Sequence, residues 1–237
     1  MKAMVFAAGL GTRLKPMTGN RPKALVEVAG QTMLEMTLSR LRSFGIQDVI
    51  VNVHHFADSV VEYLKAHDDF GMHVEVSRED ELLDTGGGLM KASEFLEDSD
   101  PFIVHNVDVI STIDLGRMVQ FHKGHAALAS LAVMDRQTSR HLLFDEHLQL
   151  CGRNTELVRP AAHPKPLAFS GIHVISPRIF PSIRQRGVFS IIDAYLDLAA
   201  RSERIMAFRT DEYYWHDLGR PENVRQALQD RARWRDA

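Results

Sequence analysis

One stretch near the start of the chain decides the fold: Ala7-Ala8-Gly9-Leu10-Gly11-Thr12-Arg13-Leu14-Lys15-Pro16. It closes the apolar run Ala3–Ala8, and a short apolar run that ends in glycine predicts a buried strand followed by a loop. Two glycines at this point let the backbone turn sharply and direct several N–H groups at one spot. The stretch therefore predicts a strand that leads into a loop suited to phosphate oxygens.

Basic side chains follow these glycines, at Arg13, Lys15, Arg21 and Lys23. Four cations so close together repel one another unless an anion lies among them, which favours a phosphate ligand over a tight turn with solvated charges. The loop is not a Walker A loop, because no Gly-Lys-Ser/Thr closes it. It is not a dinucleotide fingerprint either, because Leu14 stands where the third glycine is needed.

Strands and helices are predicted to alternate over the first part of the chain. The strands are expected at Ala3–Ala8, Asp48–Val53, His73–Ser77, Pro101–His105 and Ala126–Val133. The helices are expected at Thr32–Phe44, Phe56–Ala66, Gly88–Leu96 and Leu115–His122. This alternation predicts an α/β fold with a mainly parallel sheet covered on both faces, in which ligands lie beyond the carboxyl ends of the strands.

The pattern changes after about residue 135. A short hairpin is predicted over His141–Leu150 and a helix is predicted to begin at Pro221. Between them we expect the strand Leu167–Ile175, the helix Ile191–Ala200 and the strand Ile205–Thr210. We expect this later part to form a substrate-facing lobe on the same sheet.

Composition limits the class of protein. The 237 residues are 45% hydrophobic and 25% charged, which is typical of a globular chain. The net charge of -3 argues against broad nucleic-acid binding. Cys151 is the only cysteine, which fits a reducing compartment, and the first apolar run is too short for a signal peptide or a membrane span. We therefore expect a cytoplasmic protein with no nucleic-acid or membrane partner, whereas the oligomeric state is not readable from the sequence.

The opening stretch, followed by Arg21-Pro22-Lys23-Ala24-Leu25-Val26, closely resembles the signature of sugar-1-phosphate nucleotidyltransferases. That family has a glycine loop ending in Gly-Thr-Arg-Leu/Met-x-Pro and then Pro-Lys-Pro-Leu, with Ala24 here in place of the second proline. The resemblance implies a Rossmann-like three-layer α/β/α nucleotidyltransferase fold with a mainly parallel mixed sheet. It also implies one domain over residues 1–237, with a nucleotide-binding portion at 1–135 and a sugar-binding portion and C-terminal helix at 136–237.

The same resemblance implies an enzyme whose partners are a nucleoside triphosphate and a sugar-1-phosphate and whose cofactor is Mg²⁺. The implied catalytic residues are Arg13 and Lys23, and the implied metal ligands are Asp108 and Asp217. Two carboxylates suit Mg²⁺, which keeps its other positions for phosphate and water. The implied nucleotide-binding residues are Ala7, Ala8, Gly9, Leu10, Gly11, Thr12, Arg13, Lys23, Glu79, Asp84, Thr85 and Gly86, with Glu79 and Asp84–Gly86 facing the base.

The sugar is expected to meet Asn106, Phe169, Ser170 and Gly171, because Phe-Ser-Gly resembles the sugar-pocket strand of the family. Many relatives carry Glu-Lys-Pro before that strand; here Lys165 precedes proline without the acid, so its role stays open. The chain looks most similar to small uridylyltransferases acting on N-acetylmuramate-1-phosphate. Mannose- or heptose-1-phosphate guanylyltransferases, cytidylyltransferases and a nucleotide-sensing regulatory protein stay open as well.

Overall fold

The structure is a computed structural model that describes residues 1–234. Its strands are β1 Lys2–Phe6, β2 Glu27–Val28, β3 Gln31–Thr32, β4 Asp48–Val53, β5 His73–Arg78, β6 Phe102–Asn106, β7 Val109–Ser111, β8 Ala129–Met134, β9 His141–Phe144, β10 Leu150–Arg153, β11 Glu156–Leu157, β12 Lys165–Ile175, β13 Ile205–Arg209 and β14 Trp215–Asp217. Its α-helices are α1 Met33–Ser43, α2 Ala57–Ala66, α3 Asp84–Lys91, α4 Ser93–Leu96, α5 Leu115–Gly124, α6 Ile179–Ser182, α7 Ile191–Ala200 and α8 Pro221–Gln229.

The chain divides into two compact units, and neither is continuous in sequence. The first unit contains Met1–Leu82, His105–Ile113 and the described part of Tyr213–Ala237; the second contains Leu83–Val104 and Asp114–Glu212. Whether these units form the single domain expected from the sequence stays a prediction.

The first unit is built on a parallel ladder. Strand β4 pairs in parallel with β1 on one side and with β5 on the other. All but the first residue of β4 is buried, as expected for a strand covered on both faces. Helix α1 begins after Thr32, whose side chain accepts a hydrogen bond from the backbone N–H of Glu35, a cap that stabilises a helix by about 1 kcal/mol. The carboxyl ends of these strands carry the loops described below.

The second unit is mixed. Strand β8 pairs in parallel with β13 and antiparallel with β12, while β9, β10 and β11 continue the antiparallel order from β12. Helix α7 begins at Ile191, after Ser190, whose side chain accepts from the backbone N–H of Ile192. The predicted α/β fold with its mixed sheet is confirmed, and the antiparallel pairs come largely from the second unit.

Most predicted elements are found within two or three residues of their expected ends. The strand Asp48–Val53 and the helix Ile191–Ala200 are found with the predicted bounds. The helix expected at Gly88–Leu96 differs, because α3 already begins at Asp84 and a separate short helix follows at Ser93. Glycine lowers helix propensity, so a run of three glycines predicts a loop before the helix. The three glycines instead lie inside α3, where the packing described below leaves no room for larger side chains at Gly86 and Gly87.

Among the described residues, no helix combines the length and the apolar character that crossing a lipid bilayer requires.

Candidate active site

The glycine loop begins where β1 ends. Gly11 has a φ of 63°, in the left-handed region that favours glycine. A Cβ at Gly11 would lie 2.9 Å from Thr18 Cγ2 and 3.1 Å from Lys23 Cβ, so the position has no room for a side chain. The Thr18 hydroxyl donates a hydrogen bond to the Gly11 carbonyl at 2.8 Å, which holds the two parts of the loop together. The loop is therefore held in one tight conformation that places Lys23 against it.

Lys23 forms an ion pair with Asp108, and its Nζ donates to Asp108 Oδ2. Both side chains are largely covered, with 13% and 15% of their surfaces exposed. Such shielding strengthens the attraction relative to a surface pair. The cation after the glycine loop and the acid after β6 thus meet in one place.

Asp217 reaches the same place through a short ladder. Strand β14 pairs antiparallel with β7, and Asp217 lies opposite Val109, the residue after Asp108. The backbone N–H of Leu218 donates to the Asp108 carbonyl at 2.7 Å, which adds a second tie between the two segments. This pairing brings together two acids that are far apart in the chain.

Gly219 marks the point where the charged groups converge. A Cβ built on it would lie 2.7 Å from Asp217 Oδ1, 3.1 Å from Arg13 Nη2 and 3.3 Å from Asp108 Oδ2. Its backbone N–H donates to Asp217 Oδ1 at 2.7 Å and so orients that carboxylate. Only glycine leaves this space open, and both acids and the Arg13 guanidinium border it.

The electrostatics of Asp217 reflect this crowding. Burial, and then the neighbouring Asp108 carboxylate, raise the pKa of Asp217 above its ordinary value. Two converging carboxylates that repel one another in this way are a donor set that a divalent cation would stabilise. Residues 1–234 contain no group of three or more His, Cys, Asp or Glu side chains that could hold a metal ion. Mg²⁺ takes one or two carboxylates and completes its shell with phosphate and water. The residues present fit that ion.

The other two cations after the glycines are placed differently. Arg21 is exposed and lies 3.8 Å from Glu27, an ion pair on the surface. Lys15 is also exposed. The mutual repulsion expected among the four cations is therefore relieved partly by carboxylates of the protein itself, Glu27 for Arg21 and Asp108 for Lys23.

Glu79, which was expected near the base, is only 4% exposed. Its Oε1 accepts from Asn52 Nδ2 at 2.7 Å, and its backbone carbonyl is 2.9 Å from His54 Nδ1. Asn52 Oδ1 in turn accepts from the backbone N–H of Ala7 at 2.8 Å. The Ala7 N–H is thus already occupied by the protein, and Glu79 belongs to a buried network in the first unit.

The glycines of the Asp84–Gly88 segment lie inside α3, where they are buried. A Cβ on Gly86 would overlap the ring of Phe189, and a Cβ on Gly87 would overlap the carbonyl of Gly187. The backbone N–H of Gly86 donates to the Phe189 carbonyl at 2.9 Å. Close packing within the second unit therefore requires glycine here, whatever ligand the segment contacts. Asp84 itself is exposed, with a φ of 57°.

Thr85 and the expected sugar residues Phe169, Ser170 and Gly171 also belong to the second unit. Thr85 Oγ1 accepts from the backbone N–H of Ile191 at 3.0 Å, which ties α3 to the start of α7. Gly171 has a φ of 77° where the register between β12 and β8 shifts, so it supplies the backbone freedom of a β-bulge. Bulges commonly redirect side chains near functional sites, and here Phe169 is left half-buried.

Asn106 lies at the end of β6 in the first unit and is half-buried. Its carbonyl is 2.8 Å from Nδ1 of His105, which is fully buried and not exposed to a ligand. Lys165 is exposed at the start of β12. Of the predicted site residues, the first unit thus brings together Arg13, Lys23, Asp108 and Asp217 beside the glycine loop.

The sequence pattern did not single out Asn52 and Thr18. Asn52 did carry a signal, since it is the one polar side chain inside the apolar run Val49–Val53 and is only 3% exposed. A polar residue inside a buried strand needs hydrogen-bond partners and therefore points to a network. Thr18 lies in an ordinary polar loop, which gave no such signal.

The chain is similar to known proteins over most of its length. The nucleotidyl transferase family matches residues 2–233. N-acetylmuramate alpha-1-phosphate uridylyltransferase of Caulobacter vibrioides is 34% identical over 227 residues, which cover 93% of this chain and 92% of that protein. Mannose-1-phosphate guanyltransferase of Yarrowia lipolytica is 30% identical over 231 residues, and the chain spans 62% of its length.

Solved structures support the fold. HddC from Yersinia pseudotuberculosis, complexed with GMP-PN, matches with a TM-score of 0.77 and 24% identity over 97% of this chain and 98% of that one. A UDP-glucose pyrophosphorylase complexed with UDP-glucose matches with a TM-score of 0.80 and 18% identity over 98% of each chain.

A glycine loop, two convergent cations and two convergent acids are what an enzyme acting on a nucleoside triphosphate needs, and the chain belongs to the nucleotidyl transferase family. The family and the class of enzyme predicted from the sequence are therefore confirmed.

Proposed function

We propose that this protein joins a nucleoside triphosphate to a sugar-1-phosphate, giving a nucleoside diphosphate sugar and pyrophosphate. An oxygen of the sugar phosphate attacks the α-phosphorus and forms the new P–O bond. The bond from the α-phosphorus to the α–β bridging oxygen breaks, and pyrophosphate leaves with that electron pair. The sugar phosphate is already an anion near neutral pH, so the reaction needs no general base.

The observation that carries this proposal is the convergence of Arg13, Asp108 and Asp217 around Gly219, with Lys23 paired to Asp108. Phosphoryl-type transfer depends mainly on positioning and on neutralising negative charge. A cluster of two cations and two acids beside a glycine loop can do both, because the cations attract phosphate oxygens and the acids can hold a divalent cation.

Each residue then has a defined role. The backbone N–H groups of Leu10–Thr12 and the Arg13 guanidinium hold the β- and γ-phosphates. Lys23 stabilises the α-phosphate and the incoming phosphate. Asp108 and Asp217 hold Mg²⁺, which, when bound, neutralises charge on the nucleotide phosphates. Asp84, Thr85 and Gly86 are assigned to the base, and Asn106, Phe169, Ser170 and Gly171 to the sugar.

For the particular substrates we favour UTP and N-acetylmuramate-1-phosphate. The uridylyltransferase of Caulobacter vibrioides supports this choice, since it matches over 92% of its own length at 34% identity. The guanylyltransferase relatives are longer, and the chain spans 62% of the one from Yarrowia lipolytica. GTP with mannose-1-phosphate is the second candidate, because that relative is 30% identical. GTP with heptose-1-phosphate, a cytidylyl transfer and a nucleotide-sensing role without catalysis rank below these two.

The experiment is a matrix of four nucleoside triphosphates against a panel of sugar-1-phosphates, with Mg²⁺ present and pyrophosphate release as the readout. The panel includes the 1-phosphates of N-acetylmuramate, mannose, heptose and glucose. We expect the highest kcat/KM with UTP and N-acetylmuramate-1-phosphate. A maximum with GTP would reassign the substrates within the same class. Nucleotide binding with no pyrophosphate from any pair would reject the enzyme in favour of a nucleotide sensor.

A further inference from the structure

A buried chain of hydrogen bonds connects Glu79 to the start of the glycine loop through Asn52. Asn52 lies in β4, in register with Phe6 of β1 on one side and with Ser77 of β5 on the other. Its Oδ1 accepts from the Ala7 N–H at 2.8 Å, and its Nδ2 donates to Glu79 Oε1 at 2.7 Å. Both bonds are within the range of good hydrogen bonds, and both partners belong to the first unit.

The two bonds fix the orientation of the Asn52 carboxamide. The end that faces Ala7 must be an acceptor, because a backbone N–H only donates. The end that faces Glu79 is then the Nδ2 amide, which only donates, so Glu79 Oε1 accepts. Asn52 is 3% exposed and Glu79 is 4% exposed, so water does not readily replace either bond. The position therefore demands one donor and one acceptor in a fixed order.

Because Ala7 lies at the start of the glycine loop, these hydrogen bonds also affect the direction of that loop. Ala7 is the first residue after β1 and lies two residues before Gly9, so its amide plane sets the direction in which the glycine loop leaves the sheet. A hydrogen bond to that amide therefore helps to aim the N–H groups of Leu10–Thr12, the groups assigned to the phosphates.

We propose that Asn52 is a positioning residue that couples Glu79 to the phosphate-binding loop through the Ala7 amide. This proposal rests on the proposed function, because it takes the glycine loop as the nucleotide site. It predicts that replacing Glu79 changes nucleotide binding at least partly by altering the hydrogen bonds of Asn52. Correct nucleotide placement would then depend on the donor–acceptor order at position 52.

The test exchanges donor and acceptor between the two positions. Asn52→Asp keeps an acceptor for the Ala7 N–H but replaces the amide donor to Glu79 with a second carboxyl group, so the two acids must either repel one another or share a proton. Adding Glu79→Gln restores a donor, since the new amide at position 79 can donate to the new carboxylate at position 52. Four proteins complete the cycle: wild type, N52D, E79Q and N52D/E79Q. Ser77→Ala, the cross-strand neighbour of Asn52, is the matched control for a change in the same ladder.

The readouts are the calorimetric Kd for UTP and for GTP, kcat, and the KM values for nucleotide and sugar phosphate. With Glu79 present we expect N52D to weaken nucleotide affinity or kcat/KM at least about tenfold, because the amide donor to Glu79 is lost and the orientation of the Ala7 amide is disturbed. In the E79Q background, N52D should reduce nucleotide affinity or kcat/KM by about threefold or less, as expected for coupled positions. The KM for the sugar phosphate and the values for Ser77→Ala should stay near wild type.

The proposal would be overturned if N52D reduced nucleotide affinity or kcat/KM by the same factor in both backgrounds. It would also be overturned if N52D had no effect with Glu79 present. A loss that follows melting temperature alone, with nucleotide and sugar-phosphate KM changing together, would overturn it as well. Should N52D alone not fold while N52D/E79Q folds and binds nucleotide as E79Q does, the coupling is supported. Should neither fold, position 52 requires asparagine for stability itself and the positioning role is rejected.

Failure of the proposed function gives a different pattern. A wild-type protein that binds UTP or GTP but releases no pyrophosphate would reject the reaction while the calorimetric cycle still tests the coupling. A normal reaction with additive effects at positions 52 and 79 would reject the coupling alone.

Discussion

The ammonium group of Lys23 pairs with the carboxylate of Asp108, a residue 85 positions further along the chain. The pair joins the loop after β1 to the loop after β6, and both side chains are mostly shielded from water. In the proposed reaction, Lys23 would contact the nucleotide phosphates and Asp108 would be one of the residues that hold Mg²⁺. The first prediction therefore concerns the replacement of these two residues.

Lys23→Ala is expected to reduce kcat about 30- to 1000-fold, because one charge-assisted contact to the reacting phosphates is worth roughly 2–4 kcal/mol. Asp108→Ala should reduce kcat by a comparable factor, because Asp108 is assigned to hold Mg²⁺. Initial rates of pyrophosphate release measure both, and circular dichroism checks that both proteins are folded. Lys65→Ala, an exposed lysine on α2, serves as the control and should retain wild-type turnover. Near-normal rates in the Lys23 and Asp108 variants would refute the assigned roles.

Gly219→Ala should disturb the acid cluster without disturbing the fold. The added Cβ would come within 2.7 Å of Asp217 Oδ1 and 3.3 Å of Asp108 Oδ2, so at least one carboxylate must move. We expect kcat to fall at least about tenfold, or ~1.4 kcal/mol. The Mg²⁺ concentration for half-maximal rate should also rise. Gly124→Ala is the matched control, because nothing lies within 4 Å of its added Cβ. An unchanged Mg²⁺ titration in Gly219→Ala would argue against a metal at these acids.

Gly86→Ala is expected to destabilise the second unit, because its Cβ would overlap the Phe189 ring. Overpacking of this kind typically costs about 1–3 kcal/mol, measurable as the free energy of unfolding in urea. Phe189→Ala should remove part of that cost, so the two changes should not be additive. Full stability in Gly86→Ala, combined with lost nucleotide affinity, would instead indicate that this glycine exists for the ligand.

The stability of the protein should fall between pH 6.5 and about 4, in part because of His122. Burial lowers the pKa of His122 to about 4, from an ordinary value of 6.5. Over that interval the unfolded chain binds a proton at His122 that the folded chain does not. The contribution of the neutral His122 to the free energy of unfolding is therefore fully present above pH 6.5 and is lost as the pH falls toward 4. The loss is on the order of 3 kcal/mol. His122→Gln should flatten the dependence of unfolding free energy on pH.

The control for that measurement is His125→Gln, because His125 is exposed on the same helix end. Comparing the two variants separates the loss of a buried histidine from the loss of an exposed one at the end of the same helix. His105 adds a second contribution of the same sign, since burial lowers its pKa to about 4 as well. An identical slope in His122→Gln and wild type would show that His122 does not contribute.

Local signals explain why much of the fold was predictable. The apolar runs at β1 and β4 and the helical spacing of α1 and α7 are short-range patterns, and each element lies close to its expected bounds. The prediction was wrong at the start of α3, because glycine propensity favours a loop at Gly86–Gly88 whereas the structure has these residues in the helix, with Gly86 packed against Phe189. Tertiary contacts commonly override propensity in this way.

The sequence alone determined the family, the strand–loop unit at Ala7–Gly11 and the identity of the charged residues, because these depend on residue type and near spacing. Only the tertiary structure decided that Asp108 and Asp217 meet, since the β7–β14 ladder that joins them is too short to leave a pattern. The same holds for the link from Glu79 through Asn52 to Ala7. Hydrogen bonds between distant strands depend on register, and register exists only once the sheet has formed.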